Sequence, residues 1–162
     1  PRLFIPFYDV DGSLVGATMR ALRGEAKLYI NIKIREDVPY IFGILSVVKE
    51  KILYVCEGPF DSMFLDNAIA VGGTSFGKIK HLHNQFEKVV YIYDNQPYNK
   101  DVCKLFNKQI EQGDNVVIWP SNIEQKDINE MHLAGKDVKS LVSSNVYSGL
   151  TAKIKFLQWR KC

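Results

Sequence analysis

Three acidic groups stand at positions where carboxylates need a reason. In YVCEGPFDS, residues 54–62, an apolar run that reads as a core strand closes on Glu57; a Gly-Pro turn follows, and Asp61 falls at the start of the next helix. In VVYIYDNQ a second apolar run, 89–93, closes on Asp94. KDINE supplies the third group, Lys126, Asp127 and Glu130. Like charges in a low-dielectric place repel, so clustered carboxylates call for a cation. With few histidines nearby, the cation that suits them is hard and oxygen-seeking, Mg²⁺ or Mn²⁺. Such an ion keeps several waters and binds through a few carboxylates plus substrate phosphates. The expected chemistry is metal-assisted phosphoryl or nucleotidyl transfer. Asp61 and Asp127 each also fit a helix cap. Glu57 does not, because a long acid ending a core strand has no capping role there.

The elements that must position these groups alternate. From about residue 50 the pattern predicts strands at 51–57, 68–72, 88–94 and 115–119, and helices near 60–67, 78–86, 99–112 and 127–134. In the third helix Val102, Leu105, Phe106 and Ile110 form an apolar face at helical spacing, and Gly113 is a natural stop. Alternating β and α elements with short loops predict a parallel sheet covered by helices on both faces. In such sheets ligands bind outside the carboxyl ends of the strands. Glu57 and Asp94 both sit at such ends, and neighbouring strands would turn them toward one crevice. Residues 1–45 instead look β-rich. An apolar run at 3–8, the turn signal Asp11-Gly12 and a return over 14–22 suggest a hairpin, and Leu28, Ile30, Ile32 and Ile34 alternate with Tyr29, Asn31 and Lys33 as a strand does. The expected division is a β-rich subdomain at 1–48, an α/β domain at 49–135, and a basic helical segment at 136–162, broken near Tyr147-Ser148-Gly149.

Bulk properties limit the alternatives. With 162 residues, 46% hydrophobic and 24% charged, the chain fits one globular domain with a small extension. No apolar stretch approaches the roughly 20 residues of a membrane span, so no membrane partner is expected. The chain opens on a strand-like PRLFI without an initiator Met, which reads as an excised segment. Its three cysteines, Cys56, Cys103 and Cys162, form no Cys-x-x-Cys pair, so no zinc is expected in this segment, and a sparse, odd set fits a reducing cytoplasm. Net charge is +3, unevenly spread: 136–162 carries six Lys/Arg and one Asp, whereas 46–135 carries nine Lys/Arg against twelve Asp/Glu. An acidic centre with a basic end suggests a polyanion held beside a metal-binding core, against the plainer reading of a solvated basic helix. In TAKIKFLQWRK, Lys153 and Lys155 interleave with Phe156 and Trp159, giving one apolar and one basic edge to a helix that would hold nucleic-acid backbone or dock on a partner.

Other motifs carry less. GGTSFGK nearly spells a phosphate-binding loop, but Ile79 stands where that loop needs a hydroxyl. His81 and His83 would point to opposite sides of a helix. Tyr98, Tyr147 and Trp159 would suit base stacking, with packing the commoner role for each singly.

EGPFDS, a strand ending in YDN, and then KDINE resemble the Toprim domain shared by bacterial-type primases, type IA and II topoisomerases and some nucleases. Taken in order, RLFIPFYDVDG, RAL, YVCEGPFDSMFLDNAIAVGG, YDNQP, KDINEM and YSGLTAK resemble the DNA primases of T-even-type bacteriophages over nearly the whole chain. The resemblance implies a Toprim α/β fold and a primase core that condenses ribonucleoside triphosphates on a single-stranded DNA template, in the cytoplasm of the infected host, with the replicative helicase as a partner. It implies that Glu57 is the acid/base or metal-linked carboxylate, that Asp61 supports it, and that Asp94 is a principal metal ligand. Lys126 and Asp127 would border the site, with Asp127 among the metal's oxygen donors. Arg20, in RAL, would contact nucleotide or template, and Arg23, Lys27, Lys153 and Lys155 would add nucleic-acid contacts. One position departs: Gln96 stands where the family usually has a second acid, and a neutral amide is a weaker Mg²⁺ ligand, which puts a second ion in doubt. The zinc-binding domain that such primases carry N-terminal to this region has no counterpart here. A metal-dependent nuclease and a non-catalytic single-stranded DNA-binding module are the competing readings; a topoisomerase would need a tyrosine nucleophile and a strand-passage domain.

Overall fold

The computed structural model describes residues 1–71 and 76–162. The near-loop GGTSFGK therefore falls largely outside the described residues. At the N-terminus β1 (Arg2–Tyr8), β2 (Leu14–Ala21) and β3 (Tyr29–Lys33) form an antiparallel sheet in that order. Gly12 turns the first hairpin with a φ of 85°, its N–H donating to the Asp9 carbonyl, a conformation glycine adopts without steric cost. Ile5, Phe7, Val15 and Ala17 are buried, and Phe7 stacks on Tyr40 with ring centres 5.8 Å apart.

The chain then enters a six-stranded sheet. Its middle is parallel: β5 (Ile52–Cys56) lies between β6 (Ala68–Val71) and β7 (Lys88–Tyr91), and β8 (Asn115–Val117) pairs with β7. Each strand is a short apolar run because both faces are covered; Leu53, Val55, Ile69, Val90, Tyr91 and Val116 are each 1% exposed or less. Around the sheet lie α1 (Pro59–Ser62), α2 (Lys100–Glu111), α3 (Ile128–Leu133), α4 (Val138–Ser143) and α5 (Gly149–Trp159). The predicted α2 starts where expected: Asn99 caps it by accepting from the backbone N–H groups of Asp101 and Val102, and Gly113 ends it at a φ of 82°. Phe106 from α2 packs against Tyr93, Phe156 and Trp159, with ring centres 4.8, 5.2 and 5.2 Å away, so α2 and α5 are clamped together by aromatic rings.

The sheet is mixed, which the sequence pattern did not predict. β4 (Ile41–Phe42) pairs antiparallel with β6 at one edge, and β9 (Val146–Tyr147) pairs antiparallel with β8 at the other. Two-residue strands are too short to show a period of two, so each reads as loop until its partner is known. Thus β4 comes from the segment before residue 48, and β9 lies between α4 and α5. Two predicted helices are also shorter or tighter. The helix expected at 60–67 is one turn, α1, continued only by i→i+3 bonds from Met63, Phe64 and Leu65. The one expected at 78–86 is a run of 3₁₀ turns over Phe76–Gln85. Its His83 meets the Tyr91 hydroxyl at 2.5 Å, a packing role.

Candidate active site

The chain leaves β5 for β6 on one side, then crosses back to β7 on the other. Strand order reverses between β5 and β7, and a crevice opens at their carboxyl ends. Glu57 is the residue after β5, and Asp94 follows β7 after Ile92 and Tyr93. The two segments stay joined past the ladder: the Ile92 N–H donates to the Val55 carbonyl, and the Asp94 N–H donates to Glu57 Oε1 at 3.2 Å. Glu57 is thereby tied to the backbone of the residue that carries the second acid.

Asp61 enters from α1. Its Oδ1 accepts from the Asn129 N–H at 3.1 Å, pinning α1 to the first turn of α3. Gly58 gives it room: a Cβ there would lie 2.8 Å from Asp61 Oδ2, so the glycine of EGPFDS is a clearance residue. Asp127 caps α3, with Oδ1 accepting from the Glu130 N–H at 2.8 Å, while Glu130 Oε2 accepts from the Lys126 N–H at 2.8 Å. Glu57, Asp61, Asp94 and Asp127 line one small cleft of about 10 Å³, with Cys56 and Trp119 in its walls.

The electrostatics match a gathering of acids short of cations. Burial, and then the neighbouring Asp94, raise the pKa of Glu57. Burial pushes Asp61 up to about 7, with Asp127, Asp94 and Glu57 adding to it and the Asn129 N–H opposing it. The nearby cation is Lys126, whose Nζ sits 3.1 Å from Asp94 Oδ2; Asp94 in turn raises the lysine's pKa. Gln96 donates from Nε2 to the same Asp94 oxygen at 3.0 Å, so the amide acts here as a donor to the acid.

Among the described residues, no three acidic, histidine or cysteine side chains converge tightly enough to enclose an ion by themselves. The donor set nevertheless fits a hard ion: carboxylate oxygens, buried and mutually repelling, arranged as for an ion that takes its remaining ligands from water and phosphate.

Arg20, at the end of β2, reaches α1. Its guanidinium lies 4.6 Å from the Phe60 ring centre and 5.5 Å from that of Tyr29, and donates to the Tyr29 hydroxyl at 2.9 Å. Arg23 and Lys27 stay in the exposed β2–β3 connection. There the Arg23 N–H bonds Glu25 and the Lys27 carbonyl accepts from Arg2. Lys153 and Lys155 are exposed on α5.

Two residues that sequence reasoning passed over hold the site together. Asn95 donates its N–H to the Lys126 carbonyl at 2.6 Å and its Nδ2 to the carbonyls of Ile123 and Gln125, and it accepts from the Trp159 indole at 3.0 Å. It ties the loop carrying Asp94 to the loop carrying Lys126 and to α5. Trp119 donates its indole N–H to the Tyr93 carbonyl at 2.8 Å. The only sequence signal for Asn95 was an amide directly after a strand-end acid.

Among curated proteins the chain is 32% identical to the DNA primase of Enterobacteria phage T4, over 99% of this chain and 48% of that protein. Nearly the whole chain is thus similar to part of a DNA primase. The chain spans about half the length of that relative. No family model matches it. Solved primase structures share the fold. The Escherichia coli primase catalytic core is 18% identical, with a TM-score of 0.69 over 97% of this chain and 55% of that one. A primase catalytic domain bound to single-stranded DNA reaches 0.71, at 19% identity, over 97% of this chain and 54% of that one. The primase fragment of the bacteriophage T7 primase-helicase reaches 0.63, at 19% identity, over 88% of this chain and 61% of that one. The fold class expected from EGPFDS, YDN and KDINE, a Toprim-type α/β fold, is the one these structures share, with antiparallel strands added at both edges of the sheet.

Proposed function

We propose that the chain is the polymerising core of a phage-type DNA primase, joining ribonucleoside triphosphates on a single-stranded DNA template into short primers in the cytoplasm of the infected host. The observation that carries the reading is the pairing of Glu57 with the Asp94 backbone across the β5–β7 switch point, in a chain related to a phage primase. Glu57 and Asp94 supply the oxygens for Mg²⁺ or Mn²⁺, with Asp127 and Gln96 at the margin. Bound there, the ion would offset the triphosphate's charge and polarise the phosphoryl group under attack by a 3′-hydroxyl, with pyrophosphate leaving. Lys126 orients Asp94 and adds positive charge on the phosphate side. Asp61 fixes α1 against α3, and so fixes the turn that presents Glu57. Arg20, held by Phe60, faces nucleotide or template, while Arg23, Lys27, Lys153 and Lys155 contact strand backbone, and the replicative helicase is the protein partner.

Incubating the chain with a short single-stranded template, ribonucleoside triphosphates and Mg²⁺ should give dinucleotides, and Glu57→Gln should give none while remaining folded by circular dichroism. Cleavage of labelled DNA without added ribonucleotides would make the chain a nuclease. DNA binding with no product under any metal would leave a tethering module, the alternative that Gln96 favours by removing one acid from the site.

A further inference from the structure

Beside the carboxylates, and separate from them, lies a larger hollow. It has a volume of about 680 Å³, within the roughly 300–1,000 Å³ of small-molecule sites. The loop after β7, the loop after β8 and the outer side of α5 form it. Four aromatic residues line it: Tyr98, Trp119, Tyr147 and Trp159. Both tryptophans of the chain are here. Each has its indole N–H committed, Trp119 to the Tyr93 carbonyl and Trp159 to Asn95 Oδ1. Their rings are therefore fixed as walls with no polar group left to satisfy. Tyr98 differs: it is 76% exposed, a large ring that the core does not use.

The charge on this hollow is set by α5. The Lys155 ammonium stands 5.6 Å from the centre of the Tyr147 ring, and Lys161 also lines the wall, against one acid, Glu124. Aromatic faces flanked by lysines suit a nucleotide: the rings stack on a base whatever its identity, and the ammonium groups meet its phosphate. The location fits as well. Asn95, next in sequence to Asp94, borders the hollow, and Trp119 is shared between its wall and the wall of the carboxylate cleft.

We propose that the hollow between the loop after β7, the loop after β8 and α5 is a nucleotide-binding subsite, stacking one base of a single-stranded polynucleotide on Tyr98 and Tyr147 and holding its phosphate with Lys155 and Lys161. The ligand class rests on the primase reading above; the aromatic, lysine-edged hollow does not. A free ribonucleoside triphosphate has the same chemistry, and the two sources separate by experiment.

The test uses the two tryptophans as reporters. A twelve-residue oligodeoxythymidylate is titrated into the chain without divalent metal, and ATP is titrated in parallel. The oligonucleotide should quench tryptophan fluorescence saturably. Tyr98→Ala should weaken its binding about tenfold or more. Lys155→Ala should weaken it and lower the slope of log affinity against log salt by roughly 0.7. Both residues are exposed, so both variants should fold, and their thermal unfolding provides the check. Quenching by ATP with the same sensitivity to Tyr98→Ala would assign the subsite to a free nucleotide. No quenching by either ligand, or quenching that both substitutions leave unchanged, overturns the proposal. Absence of dinucleotide synthesis alongside intact oligonucleotide binding would instead overturn the primase reading and leave the subsite standing.

Discussion

Asp61 carries two opposed demands. Its carboxylate accepts a backbone hydrogen bond that holds α1 on α3, yet burial and three neighbouring acids raise its pKa from 3.8 to about 7. A carboxyl group whose pKa is raised on folding binds a proton that the unfolded chain releases. The stability this proton brings is fully present below pH 3.8 and is lost as pH rises through about 7. Asp61→Asn keeps an oxygen for the Asn129 N–H and removes the charge. In metal-free buffer the variant should therefore be more stable than the parent at pH 8, by on the order of 2 kcal/mol. That advantage should be severalfold smaller at pH 4.5 and vanish only below about pH 3.8. Urea unfolding at both pH values measures it, and a difference that does not change with pH would mean that Asp61 is not the group under strain.

At the scale of elements, α5 shows where sequence reading stops. The sequence suggests one apolar and one basic edge on this helix; in the structure the solvent side mixes Lys153 and Lys155 with exposed Leu150, Ile154 and Leu157, and an apolar edge does not say what it meets. In the structure Ala152, Phe156 and Trp159 are buried, and Phe156 and Trp159 pack on Phe106 of α2. The basic end of the chain is thus a brace of the core, and deleting it to test nucleic-acid binding would unsettle the fold first. Phe156→Ala should cost about 3–5 kcal/mol in urea unfolding, whereas Lys153→Ala should stay within about 0.5 kcal/mol. A small effect of Phe156→Ala would mean that α5 is only loosely attached. The same limit explains β4 and β9, which exist only through pairing with β6 and β8. The short apolar strands and the capped α2 were legible because burial on both faces and cap chemistry leave local marks. Glu57, Asp61 and Asp94 were legible because an acid closing or following an apolar strand is locally costly. Asn95 and Trp119 were not, since their partners lie more than twenty residues away in sequence.

The whole molecule joins two sheets of different kind, and Arg20 stands at their meeting. It belongs to β2 of the antiparallel sheet, yet its guanidinium lies over Phe60 in the turn that carries Glu57 and Asp61. A charge placed this way serves two purposes. It fastens the N-terminal sheet to α1 through a contact typically about 0.5–1 kcal/mol at an exposed site, and it brings a fixed positive charge toward the acidic end of β5. The fastening is small compared with the buried contacts of the rest of the molecule, so Arg20→Ala should leave thermal unfolding nearly unchanged. If Arg20 contacts nucleotide as proposed, its effect on synthesis should be large, at least tenfold in dinucleotide yield at limiting ribonucleotide. Arg20→Lys separates the two purposes. It restores the charge but not the planar group that lies over Phe60 and donates to Tyr29, and lysine is no equal substitute at a stacked site. Partial recovery by lysine would fit a cation whose position matters as much as its sign. Full recovery would make Arg20 a simple electrostatic contribution, and unchanged synthesis by Arg20→Ala would remove the N-terminal sheet from substrate binding altogether.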